Sequence, residues 1–235
     1  MDLSAELPPA SVWEADPAGL SGYLDWLEAR GVSELAWTPE PAGLRAVSEA
    51  MKGRALTLTA VLPNMSLYAR DAMDAGPTGA VLKRFKALGP LSLAKLGLRL
   101  LPRTPALLEK RFAAGILLLA DAEFLRLTGL PVRRVALHSS AVDMALALGC
   151  RELLTGFAGW ARARGVEGLA LTSNPWLWER RANDWGGAPG GIAVRPVSAS
   201  AGAWTEYRPE TPEARLAAWK KRAGVSNVGS AGDKS

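Results

Sequence analysis

The chain has 235 residues, 49% of them hydrophobic and 22% charged, the balance of a folded globular protein rather than a disordered or fibrous one. Its single cysteine, Cys150, excludes an internal disulfide, and no window of about 18 uncharged apolar residues exists to span a bilayer. The net charge of +5 is local: residues 83–111 carry eight cations and one carboxylate, +7, so the rest of the chain sums to −2.

The acidic start, Met1 to Glu6, has no apolar run and does not read as a signal peptide, so a cytoplasmic location is expected. A short strand is expected near residue 12. A helix then starts at Asp16-Pro17 and ends at Gly31. Glu34 to Trp37 reads as a strand ending at Thr38-Pro39-Glu40, and a helix follows from Ala42 to Met51. Ala55 to Leu62 is the next strand, with Thr57 and Thr59 adding β-propensity, and it ends at Pro63-Asn64.

Residues 65–113 lack a strand signal and read as a helical insertion punctuated by Gly76-Pro77, Gly89-Pro90 and Pro102 to Pro105. Ile116 to Ala120 is expected to be a strand ending at Asp121-Ala122-Glu123. Residues 133–175 then read as strand, helix, strand. Val135 to Leu137 stops at His138-Ser139-Ser140, two helices meet at Gly149, and Gly168 to Leu171 stops at Thr172-Ser173-Asn174. A connection of that length requires the two strands to run parallel. Asn174-Pro175 begins a helix. Ile192 to Val197 is a strand ending in Ser198-Ala-Ser200-Ala-Gly202, a last strand is expected near 205, and a helix starts at Thr211. Residues 224–235 are expected to be a disordered tail.

Eight strand candidates, near 12, 35, 58, 118, 135, 170, 194 and 205, each followed by a helical stretch, predict a (β/α)8 TIM-like barrel. It would form a single domain over 1–223 with the basic helical insertion 65–113 after the third strand. An open doubly wound parallel sheet is the alternative, should the first and last candidates fail.

In either fold the carboxyl ends of the strands carry the site. Those ends supply Glu14, Asp16, Thr38, Glu40, Asn64, Asp121, Glu123, His138, Ser139, Ser140, Ser173, Asn174, Ser198 and Ser200. The chain's one histidine, His138, is the expected proton-transfer group, with Asp121 or Glu40 assisting. Asn64, Asn174 and the serines would hold substrate, and the small residues around Ser198 and Ser200 suit an anion. The plain alternative is that these residues cap helices and satisfy loop backbones. One His and one Cys are a poor donor set for zinc, and no sequence motif names a cofactor.

The expected function is acid–base chemistry on an anionic or amphipathic small molecule without a metal. The alternative is a non-catalytic ligand- or lipid-binding protein, or a peripheral membrane protein. The latter would use residues 78–112, where leucines alternate with cations and could insert if the segment lifted on its Gly89-Pro90 and Pro102 to Pro105 hinges. The absence of interleaved stacking aromatics argues against nucleic acid.

Overall fold

A computed structural model describes residues 3–7, 17–100 and 112–196. Six strands, β1 (Leu3–Glu6), β2 (Val32–Trp37), β3 (Thr57–Leu62), β4 (Val132–Leu137), β5 (Glu167–Thr172) and β6 (Ala193–Pro196), form one sheet. Their spatial order is the chain order, and every neighbouring pair is parallel. Eight α-helices accompany them: α1 (Pro17–Glu28), α2 (Leu44–Met51), α3 (Met65–Lys86), α4 (Pro90–Leu100), α5 (Phe112–Leu125), α6 (Ser139–Leu148), α7 (Arg151–Arg162) and α8 (Pro175–Asp184).

The eight-stranded barrel is not what forms. Among the described residues the sheet is an open half-barrel, with four six-residue strands, β2 to β5, flanked by four-residue strands. The doubly wound alternative also fails. That fold reverses strand order at a switch point, whereas here each strand adds to the same growing edge. Connecting helices pack on the face that carries the main core.

The physical cause of the miscount is α5. Ile116-Leu-Leu-Leu-Ala120 reads as a buried strand, but the apolar run starts at Phe112 and belongs to a 14-residue helix that continues through Asp121 and Glu123. Its apolar residues spread around the helix because it is buried on nearly every side, packed against β3, α3, α4 and α7. The expected strands near 12 and 205, the helix from Thr211 and the tail 224–235 lie outside the described residues. β1, at residues 3–6, was not expected.

Strand alternation divides the sheet into two faces. Leu35, Trp37, Leu58, Ala60, Leu62, Val135, Leu137 and Ala170 point to the helices and build the main core with Tyr23, Leu24, Phe157 and Trp160. The opposite face carries Val61, Ala136 and Leu169 as a small apolar cluster. On that same face, nearer the strand starts, Arg134 joins Glu34 and also donates from Nε to Glu167 Oε2 at 2.7 Å. The Thr59 hydroxyl also donates to Glu34. These four residues are a fixed ionic layer, with Glu34 nearly inaccessible.

Gly149 joins α6 to α7 at φ 65°, a left-handed cap that favours glycine, and its N–H closes the last turn onto Leu146 O. This junction agrees with the sequence reading of two helices meeting there.

Candidate functional site

The carboxyl edge of the sheet holds two groups of polar residues. The first lies after β2 and β3. Leu62–Pro63 is a cis peptide, and Asn64 follows it as the N-cap of α3. Asn64 Oδ1 accepts from Leu67 N at 2.9 Å, and Nδ2 donates to Pro39 O at 3.2 Å, tying the β2 loop to the β3 loop. Its backbone N–H donates to Glu123 Oε2 at 2.7 Å. Asn64 is buried, and all its polar groups are engaged by the protein. It positions the site rather than presenting itself to a ligand.

Glu123 comes from the last turn of α5. Arg84 Nη1 donates to its Oε1 at 2.6 Å, and Arg84 Nε reaches Asp71 Oδ2 at 3.3 Å. Lys83 Nζ donates to Asp71 Oδ1 at 2.6 Å. Arg84, Asp71 and Glu123 are each about 95% buried. Burial pushes the Glu123 carboxyl up to about 7, against the opposing pull of the Asn64 N–H, Arg84 and Arg126. Asp71 moves the other way, held below the usual carboxylate range chiefly by the Lys83 hydrogen bond. Arg84 Nη2 is buried and has no hydrogen-bond partner among the described residues.

Glu123 and Arg84 line a small cleft of about 10 Å³, open to solvent, together with Glu40, Arg126, Pro39, Pro41 and Leu44. Two guanidinium groups and two carboxyls therefore face one space at the ends of β2 and β3. The two guanidinium groups make the cleft a place where an anion or carbonyl oxygen would find counter-charge.

The second group lies after β4 and β5. Leu62 is in register with Leu137, and Leu137 with Ala170, so Asn64, His138 and Asn174 follow the ends of adjacent strands on one edge. His138 Nδ1 accepts from Ser140 N at 3.1 Å and caps α6. Burial lowers the His138 pKa below its ordinary 6.5, opposed by the nearby Asp143 carboxylate. Asp143 accepts from the Thr172 hydroxyl and from Ser173 N, the latter at 3.1 Å. Asn174 Oδ1 caps α8 by accepting from Leu177 N at 3.1 Å. Ser139 begins α6, and Ser140 and Ser173 are exposed. The helix-capping alternative thus describes the geometry of His138 and Asn174.

The other expected site residues separate from these. Asp121 does not follow a strand. It lies within α5, buried, and pairs with Arg164 just before β5. Residues two apart on a helix point to opposite sides, so Asp121 and Glu123 cannot share a site. Ser198 and Ser200 lie outside the described residues. Of the expected acids, Glu40 and Glu123 line the cleft.

The sequence reading missed Arg84, counting it with the basic surface. A signal existed: Arg84 stands one helical turn after Ala80, both buried, and a charge on an apolar stripe needs a buried partner. Among the described residues no group of three His, Cys, Asp or Glu side chains is arranged to hold a metal ion, and no helix is long and apolar enough to cross a membrane. No known family, curated protein or solved structure matches the chain.

Proposed function

We propose that the cleft binds the anionic group of a small organic molecule and that Glu123 exchanges a proton with it, making the protein an acid–base enzyme whose chemistry needs only its own side chains. One observation carries this reading: a carboxyl poised at about 7 lines the cleft together with Arg84 and Arg126. A proton-transfer group works best when its pKa lies near the operating pH. Glu123 meets that condition better than His138, whose Nδ1 is committed to Ser140. Arg84 and Arg126 supply the anion's counter-charge, and Arg84 also fixes the Glu123 carboxyl, because its planar guanidinium can serve two acceptors at once. The lone Cys150 supports a reducing, cytoplasmic setting for this chemistry.

Titration calorimetry with acetate, malonate and inorganic phosphate, on both sides of pH 7, tests the reading. An anion beside Glu123 raises that carboxyl's pKa further, so binding should take up a proton, most strongly just above pH 7. Glu123→Gln should abolish the uptake and retain binding. Saturable binding by none of the three anions would contradict the proposal.

A further inference from the structure

The helical arm after β3 carries a second unusual surface. α4 buries Leu96 in a small cluster with Leu88, Leu118, Ala122 and Leu125, which anchors its inner side to α5. At 100° per residue, Leu91, Ala94, Lys95 and Leu98 fall on the opposite, outer side, spaced i, i+3, i+4 and i+7. A surface helix ordinarily places polar residues there. Instead Leu91 is 69% exposed and Leu98 72% exposed. Leu82, near the end of α3, is also largely exposed. The helix is therefore apolar on both sides, and its own fold accounts for one of them.

Charge identifies the occupant of the other. Between Asp74 and Glu109 the chain has no carboxylate, and it carries Lys83, Arg84, Lys86, Lys95, Arg99 and Arg103. Lys83 and Arg84 are engaged by Asp71 and Glu123, while Lys86 and Lys95 are exposed around the leucines. Exposed leucines in a stretch of sequence that carries cations and no carboxylate match the boundary between anionic lipid headgroups and acyl chains.

We infer that the outer face of α4, with Lys86 at the end of α3, docks on an anionic membrane, Leu91 and Leu98 entering among the acyl chains and Lys86 and Lys95 contacting lipid phosphates. No part of the arm has to lift for this, because both leucines already face outward. The lifting motion expected from the Gly89-Pro90 and Pro102 to Pro105 hinges is unnecessary.

Sedimentation of the full chain with vesicles of equimolar phosphatidylglycerol and phosphatidylcholine, and with vesicles of phosphatidylcholine alone, tests the inference. The protein should sediment with the anionic vesicles and be released by salt. The double variant Lys86→Glu/Lys95→Glu should bind at least about 25-fold more weakly, roughly fivefold for each cation removed. Leu91→Ser/Leu98→Ser should weaken binding by about tenfold or more. All four residues are exposed, so unchanged denaturation midpoints should accompany both losses. Equal sedimentation with the two vesicle types, or anionic-vesicle binding that neither variant weakens, would overturn the inference. So would a dimer that the leucine variant dissociates in the absence of vesicle binding, which would assign the face to a second copy of the chain.

Discussion

Arg84 Nη1 donates to Glu123 Oε1 across 2.6 Å, joining residues 39 positions apart on two helices that follow β3. The pair closes the helical arm onto the sheet, because Glu123 also receives the Asn64 N–H at the end of β3. It brings a titratable carboxyl to the one edge of an α/β sheet where ligands gather. A buried ion pair is weak as a source of stability, since desolvating both charges offsets most of their attraction. The pair also stands beside a cleft open to solvent, which Glu40 and Arg126 line with it.

The pKa of Glu123 makes stability fall with pH. Its folded-state value of about 7 exceeds the ordinary 4.5, so the folded state binds the extra proton between those limits. The contribution is full below about 4.5 and is lost as pH rises through about 7, amounting to about 3 kcal/mol. Wild type should therefore lose about that much stability relative to Glu123→Gln across this window, read from urea midpoints. Parallel curves for the two proteins would mean the carboxyl is unperturbed.

The ionic layer on the inner face should be structural. Arg134→Ala leaves Glu34 buried beside the Thr59 hydroxyl with its ion pair broken, and should cost about 3–5 kcal/mol in denaturant unfolding. Glu167 is half exposed, so Glu167→Ala should cost less than about 1 kcal/mol. Equal losses for the two would show that burial of Glu34 does not matter.

His138 is the chain's one histidine, so its imidazole signals need no assignment. Nδ1 accepts the Ser140 N–H, which requires the neutral ring protonated at Nε2. Nitrogen-detected NMR at neutral pH should show that tautomer, titrating below 6.5. Asp143 raises this pKa, so Asp143→Asn should lower it further. A protonated ring at pH 7 would contradict the capping geometry. His138→Ala should cost about 1 kcal/mol through the lost cap.

Periodicity located the four inner strands, β2 to β5, because each apolar run stops at a polar loop: Thr38 to Glu40, Asn64, His138, Thr172 to Asn174. The polar ends Asn64, His138 and Asn174 were legible for the same reason, although the hydrogen bonds that make Asn64 and Asn174 helix caps depend on a backbone geometry the sequence does not display. α5 was not legible as a helix. A continuous apolar run fits a buried strand or a fully buried helix equally well, and only tertiary packing decides. That one substitution of helix for strand removed the barrel and misplaced Asp121. It also hid the role of Glu123, which meets Arg84 only when both helices are folded. A pairing across 39 residues leaves no local periodicity to read.

Carboxyl carbon NMR of Glu123, in protein labelled at its glutamate side chains and assigned with Glu123→Gln, tests the account most directly. Glu123 should titrate at about 7, moving upward when malonate or phosphate is added. Titration at the ordinary 4.5, or a value that neither anion moves, would contradict the assignment of this cleft as an acid–base site.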